Sequence, residues 1–345
     1  VSDAPIQPGE IKNGRGWSPQ NSDGKFGGVF PAAYGLIRSR NTMSVRVGDY
    51  AGMPRVQQIA KRAGFNHEVP GMPASFLGTW EASPWEVATA YSIFPNEGTR
   101  YRPYLISEIR DRDRNVLYST MPLSYQAASR KSTREISKIL EQVAISGTAA
   151  SVKRHGFTKP CAGKTGTTND FKDAWFAGYT SQVTCAVWVG FDRPKKTLSG
   201  GYGSFLALPV WAEIMKTTDQ LGYKAGQLHD NANQIPVDVC RLSGKRSTTG
   251  CHAAGAAYNA WFTKETAPAD GDLCPLHPAR ALAIDPKTGQ PIAPKAKAVQ
   301  EAPPTTPQRA ILVEPAPQRA KPVEMPTPQR AIPVKETPQR AIPVR

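Results

Sequence analysis

Two runs of alternating apolar residues lie back to back near the middle of the chain. Ala174, Phe176 and Gly178 mark the first, and Val183, Cys185, Val187 and Val189 the second. Alternation with period two predicts strands, and the short Tyr179–Gln182 turn between them makes the pair antiparallel. A sheet is therefore required here, and whatever flanks it must cover its apolar faces. Ahead of the first run stands Ala162–Gly163–Lys164–Thr165–Gly166–Thr167–Thr168, so Lys-Thr-Gly is predicted on or beside the first strand. Taken alone, the string has a plain structural reading: Lys164 as a solvated lysine and Gly166 as a bulge glycine.

The segments before and after this pair alternate helix signals with turn signals. Residues 1–28 are rich in Gly, Pro, Asn and Ser and read as loop, with Trp17–Ser18–Pro19–Gln20–Asn21 inside it. A helix is predicted from about Pro31 to Arg38, then Ser39–Arg40–Asn41, after which Val45 and Val47 resume an apolar pattern. Met53, Val56, Ile59, Ala60 and Ala63 have helical spacing and end at Gly64, a C-cap glycine. Ser83, Pro84 and Glu86 spell a capping-box start, with Val87, Ala90, Tyr91 and Phe94 as the apolar face. A hairpin around Asp111–Asn115 follows. Further helices are predicted at about Ser132–Ile145, closed by Ser146–Gly147–Thr148, and at about Leu208–Met215, with Pro209 near its start. Trp80, Trp85, Trp175 and Tyr179 are expected in the core.

Composition separates a folded part from a tail. Of 345 residues 39% are hydrophobic, enough for a core, but 32 prolines and 29 glycines are too many for one compact body. Much of the proline lies late in the chain. From about Asp285 onward Pro-Gln-Arg-Ala recurs at Pro307, Pro317, Pro328 and Pro338. Such a segment has no apolar face to offset chain entropy and is predicted to be disordered or polyproline-like. The expected divisions are 1–222, 223–284 and 285–345. Net charge is +15, from 43 basic and 28 acidic residues. That balance suits nucleic acid, an anionic membrane surface or an anionic polymer. Nucleic acid is not expected, because neither a basic helix nor a ribonucleoprotein-type aromatic strand is present. The tail reads as a solvated linker, or as a tether to an anionic cell-wall polymer or membrane surface. No stretch reaches the roughly 18 apolar residues that span a bilayer. Val1–Pro5 has neither an initiator Met nor a signal pattern, so the chain reads as entered in mid-protein, with any membrane anchor outside it.

In this order the pieces resemble the transpeptidase domain of class A (bifunctional) penicillin-binding proteins. The resemblance rests on Trp17–Asn21, on Ser39–Arg40–Asn41 as Ser-x-Asn, and on Gly78–Thr79–Trp80 with Ser83–Ala88 and Tyr91. Gly147–Thr148–Ala149, Lys164–Thr168 and Asp173–Tyr179 complete it. It is close over about residues 15–220. It implies an α/β (α+β) fold of the penicillin-binding protein and β-lactamase type: an antiparallel sheet with flanking helices, incomplete at the N-terminus. The implied reaction is serine acyl transfer on peptidoglycan stem peptides, with β-lactams as mimics, in the bacterial envelope outside the cytoplasm. No cofactor is implied. Ser39 would relay a proton, Asn41 would hold the substrate amide, and Lys164 would supply positive charge. Thr165 and Thr167 would bond the substrate carboxylate, and Gly166 would let substrate lie against the strand edge. Without that context, Ser39 and Asn41 read simply as a helix-terminal cap pair. A non-catalytic module that binds peptidoglycan or a partner, from a split or degenerate gene, is the second reading.

Two features fit this frame less easily. The family's acylated serine belongs to Ser-x-x-Lys on a buried helix, well before Ser-x-Asn. The one such string here, Ser22–Asp23–Gly24–Lys25, is too close to Ser39 and contains an Asp-Gly turn signal. The nucleophile is therefore expected on sequence other than this. Cys240, Cys251, Cys274 and His277 fit either a disulfide with a spare thiol or a Cys₃His zinc site, although no Cys-x₂₋₄-Cys knuckle is present. Because the resemblance places the protein outside the cytoplasm, a Cys240–Cys251 disulfide and no metal are expected.

Overall fold

A computed structural model describes residues 1–279 except 230, 232 and 233. The tail predicted at 285–345, and the end of the 223–284 segment, lie outside the described residues. Residues 1–31 are loop, tied by one bridge between Ser2 and Val29. Helix α1 (Ala32–Arg38) stops at Ser39, and α2 (Asn41–Ala51) begins two residues later. The apolar pattern alone did not mark α2. Its N-cap, Arg40, makes no side-chain cap, and its buried face is only Thr42, Met43 and Val45. Helix α3 (Met53–Ala63) ends at Gly64, as its spacing predicts. Helix α4 (Pro84–Tyr91) carries the full capping box: Ser83 Oγ accepts from Glu86 N–H, and Glu86 Oε2 accepts from Ser83 N–H.

Four short strands follow. β1 (Thr99–Tyr101) pairs with β4 (Ser124–Gln126), and between them β2 (Glu108–Arg110) and β3 (Val116–Ser119) form the hairpin around Asp111–Asn115. Helix α5 (Arg130–Ser146) starts from Ser129, whose hydroxyl accepts from Ser132 N–H. The central sheet has three antiparallel strands in the order β5 (Ala162–Thr167), β6 (Ala174–Tyr179), β7 (Thr184–Val189). Lys-Thr-Gly thus occupies a strand of its own at the sheet edge. Helix α6 (Gly203–Gln220) starts earlier than predicted, and Pro209 lies inside it rather than at its first turn. An interior proline costs a helix roughly 3 kcal/mol. Burial of Leu208, Trp211, Ala212 and Met215 more than offsets it at about 1.5–3 kcal/mol per large apolar side chain. The last elements are β8 (Ile235–Cys240), α7 (Thr249–Ala253) and β9 (Ala257–Phe262), with β8 and β9 antiparallel.

The main core lies between α6 and the sheet. Trp211 packs edge-on against Phe176 of β6 and Phe157, and its indole N–H donates to the Cys185 carbonyl. Ile37 of α1 and Val143 of α5 close the same cluster. On the other face Tyr179 is fully buried, stacked on Phe94, with its hydroxyl bonded to Ser137. The expectation of a core role is not met at Trp85, which is 50% exposed. It sits in the first turn of α4, whose buried residues are Glu86, Thr89 and Ala90. Trp80 and Trp175 are half-buried. The Cys240–Cys251 disulfide expectation is also overturned: all five cysteines are free thiols. Cys240, Cys251 and Cys274 each turn their sulfur toward the His277 ring instead of closing to the roughly 2 Å that a disulfide requires.

Candidate active site

The site is built where α1 breaks. Ser39 caps α1 with φ 56° and ψ 49°, the left-handed region that costs a non-glycine residue about 1–3 kcal/mol. The break turns the chain directly into α2, so Asn41 is the first residue of the next helix. The cap-pair reading and the functional reading of these residues therefore describe one piece of backbone. Lys164 on β5 reaches across to it. Its Nζ donates to Ser39 Oγ at 2.8 Å and to the Thr165 carbonyl at 2.9 Å, with Thr165 Oγ1 at 3.4 Å. Burial of the ammonium lowers its pKa from 10.5 to about 8. At neutral pH it is still a cation, and close enough to titration to exchange a proton.

Asn41 is held by the Pro-Gln-Asn loop. Its Nδ2 donates to the Gln20 carbonyl at 2.7 Å, and its backbone N–H donates to Asn21 Oδ1 at 2.8 Å. Asn21 is itself buried and donates to Asp3 Oδ1 and the Lys25 carbonyl. Arg40, between the two site residues, is locked by Asp3 at 2.8 Å and by Asp23 at 2.8 Å. Asp3 is 1% exposed. Burial pushes its pKa up, but hydrogen bonds from Thr42, Asn21 and Arg40 outweigh that and hold it below the ordinary value. The bracing role of Gln20, Asn21 and Asp3 was not legible from the pattern, because half of it runs through main-chain atoms.

Gly147–Thr148–Ala149 supplies the other brace. Thr148 N–H donates to the Ile37 carbonyl, and its hydroxyl bonds Thr165 Oγ1 at 2.8 Å. A Cβ at Gly147 would lie 2.5 Å from the Ile37 oxygen, so only glycine lets α5 end this close to α1. Gly166 is constrained from the sheet side: a Cβ there would lie 3.1 Å from Trp175 Cβ, its cross-strand partner. Thr167 Oγ1 accepts from Gly203 N–H at the start of α6, leaving its own proton to donate. The structure thus brings Ser39, Lys164 and Thr165 together, with Asn41 two residues from Ser39 and Gly166 and Thr167 further along β5. Among the described residues that strand pairs only with β6. The Ser22–Lys25 string lies on an exposed turn, with Gly24 N–H bonded back to the Asn21 carbonyl. It is not the start of a buried helix.

A sheet-edge Lys-Thr-Gly facing Ser-x-Asn defines a class, and sequence comparison agrees: the family model described as penicillin binding protein transpeptidase domain matches residues 2–216, and the chain belongs to that family. Among curated relatives it is 41% identical over 223 residues to penicillin-binding protein 1A of Neisseria gonorrhoeae, covering 63% of this chain and 28% of that protein. It is 36% identical over 210 residues to penicillin-binding protein 1A of Aquifex aeolicus, with 60% and 28% covered. The chain thus spans little more than a quarter of those relatives. In fold it is similar to the crystal structure of penicillin-binding protein 1A from Haemophilus influenzae, with TM-score 0.66 and 24% identity over 78% of this chain and 45% of that one. It is also similar to the PonA1 protein of Mycobacterium tuberculosis in complex with penicillin V, with TM-score 0.55 and 24% identity over 66% and 64%.

Proposed function

We propose that this chain supplies the Ser-x-Asn and Lys-Thr-Gly parts of a D,D-transpeptidase site. The site cross-links peptidoglycan stem peptides in the bacterial envelope, outside the cytoplasm, and is acylated by β-lactams. The observation that carries this reading is the 2.8 Å hydrogen bond from Lys164 Nζ to Ser39 Oγ beside an edge of β5 that is unpaired among the described residues. A serine attacks the penultimate D-Ala carbonyl, the terminal D-Ala leaves with a proton, and an acyl-enzyme forms. The amine of a second stem peptide then attacks the ester, loses a proton and regenerates the serine. Ser39 relays the leaving-group proton with Lys164, whose lowered pKa suits proton exchange near neutrality. The Lys164 cation and the Thr165 and Thr167 hydroxyls hold the substrate carboxylate. Asn41, with one amide N–H given to Gln20, offers Oδ1 to a substrate N–H. The substrate extends β5 by strand addition. Thr167 N–H is one oxyanion donor, and the attacking serine's own N–H is the other. That serine belongs to a Ser-x-x-Lys helix other than the exposed Ser22–Lys25 turn.

Labelled penicillin tests both halves of the proposal. The 345-residue chain alone is expected to stay unlabelled. A polypeptide joining a Ser-x-x-Lys helix to it should be labelled, and Lys164→Ala there should slow labelling by about 10²–10³-fold, the usual loss for one preorganised donor. Lys164→Arg should also be impaired, since a planar guanidinium does not replace a compact ammonium in a relay. Labelling of the chain alone that disappears in Ser22→Ala would overturn the nucleophile assignment. Labelling indifferent to Lys164→Ala would overturn the site. Retention on peptidoglycan with no labelling in either form would favour the non-catalytic module.

A further inference from the structure

The segment after α6 contains a side-chain cluster that the transpeptidase reading does not use. Cys240 ends β8, Cys251 lies in α7, and Cys274 and His277 sit in the loop after β9. All three cysteines are buried, at 0%, 0% and 3% exposure. We propose that Cys240, Cys251, Cys274 and His277 form a structural Zn²⁺ site, with three thiolates and the imidazole Nδ1 as a closed tetrahedral ligand set.

The distances carry the assignment. Around a tetrahedral zinc with bonds of about 2.3 Å to sulfur and 2.0–2.1 Å to nitrogen, each sulfur–nitrogen edge is about 3.5–3.6 Å. His277 Nδ1 lies 3.5 Å from Cys240 Sγ, 3.6 Å from Cys251 Sγ and 3.5 Å from Cys274 Sγ. Three edges of the tetrahedron are therefore already at metal-bound length. All four ligand atoms lie within 4.8 Å of one another. The sulfur–sulfur edges need to close by about an ångström at most, to roughly 3.8 Å. A disulfide would use two of the sulfurs and leave the third thiol and the imidazole without a role. A tetrahedral ion uses all four.

The backbone is shaped to hold these groups. Cys240 N–H donates to the Lys245 carbonyl and Gly244 N–H to the Cys240 carbonyl, closing a tight turn after β8. Cys274 N–H donates to the Arg246 carbonyl, which ties the third ligand to that turn. Thr248 Oγ1 accepts from Cys251 N–H and bonds the His277 carbonyl, joining the second and fourth ligands. Cys274–His277 is itself a Cys-x₂-His step of knuckle length, the sequence signal that a search for Cys-x₂₋₄-Cys passes over.

Stability argues the same way. The local core consists of Cys240, Cys251, Ala256 and Cys274, flanked by Leu242 and Ala257. A two-stranded sheet over so small an apolar cluster is marginal in water, and small domains of this kind need a metal or cross-link. Binding is balanced as Zn²⁺ plus three thiols and a neutral imidazole, giving one zinc with three thiolates and three protons released. The resulting site carries one net negative charge. Arg241 follows the first ligand, and its guanidinium bonds the Ala256 and Ala257 carbonyls rather than a carboxylate among the described residues. It is placed to balance that charge.

The test is metal analysis of the whole chain, purified without chelator or polyhistidine tag and, in parallel, reduced and reloaded with Zn²⁺. About one equivalent of zinc per chain is expected, falling below about one-tenth in Cys274→Ser and His277→Ala. Because those variants can unfold locally, Co²⁺ loaded into the unaltered chain gives a second readout. Intense tetrahedral d–d absorption with thiolate-to-cobalt charge transfer is expected. Failure of the reduced chain to take up zinc overturns the proposal. So does a disulfide between any two of these cysteines in non-reducing peptide mapping, or zinc retained in both variants.

Discussion

At the site, burial shifts the ionisation of the Lys164 ammonium. Its pKa falls from 10.5 to about 8 through burial, so the folded chain binds fewer protons than the unfolded chain between those values. Stability from this group therefore rises with pH across about 8 to 10.5 and is least below pH 8, where the folded state must bury the charge. Replacing Lys164 by Met, of similar length and uncharged, should raise unfolding free energy at pH 7, and the advantage should shrink by pH 10. A urea series at the two pH values measures it, and a gap that widens with pH would contradict the buried-cation assignment. Gly147 answers to sterics instead. Gly147→Ala drives a Cβ to 2.5 Å from the Ile37 oxygen and should cost about 1–3 kcal/mol, as overpacking does. Gly71→Ala, with nothing within 4 Å, is the matched control and should change stability by less than about 0.5 kcal/mol.

At the level of elements, legibility followed how local the signal was. Helices α3, α4 and α5 could be read because caps and apolar spacing lie within a few residues of each other. Helix α2 could not, since Arg40 gives no side-chain cap and is instead held by Asp3 and Asp23, remote in sequence. Strand β5 was half legible. Its Ala-Gly-Lys-Thr-Gly-Thr sequence lacks an apolar alternation, and it is a strand because β6 pairs with it along its length. At the site the motif residues were readable, while the groups that position them were not. Gln20 acts through a carbonyl, and Thr148 acts through one N–H and one hydroxyl. The α4 capping box permits a graded prediction. Ser83→Ala should cost about 1 kcal/mol, the usual value of an N-cap. Glu86→Ala should cost more, about 1–3 kcal/mol, because its other oxygen accepts from Asn66 N–H at 2.9 Å and that donor would be left unpaired. Burial works to raise the Glu86 pKa, but the bonds from Ser83 and Asn66 hold it below 4.5. Its contribution is therefore present above pH 4.5 and lost as pH falls through the lowered value. Equal costs for the two variants in chemical denaturation would mean that the Asn66 bond contributes nothing.

For the molecule as a whole, the cysteine cluster and the transpeptidase core touch through few contacts. The turn at Gly244 packs toward Pro31 at the start of α1, and Lys138 of α5 donates to the Trp261 carbonyl of β9 at 3.4 Å. The core proper, α6 against β5–β7, draws its apolar contacts from Trp211, Phe176, Phe157 and their neighbours and includes none of Cys240, Cys251 and Cys274. Removing zinc should therefore unfold one part and spare the other. Hydrogen exchange before and after chelation should find protection lost in β8, α7 and β9, because Cys240, Cys251 and Cys274 make up most of their small buried cluster. The amides of β6 and α6 should keep their protection. At α1 the N-terminal turn should loosen slightly through Pro31, while Ser39 stays fixed by Lys164 and by the Asp3–Arg40 pair beside it. Collapse of protection throughout the sheet on chelation would mean that the two parts fold as one unit. Unchanged protection in β8 and β9 would mean that this segment stands without its metal.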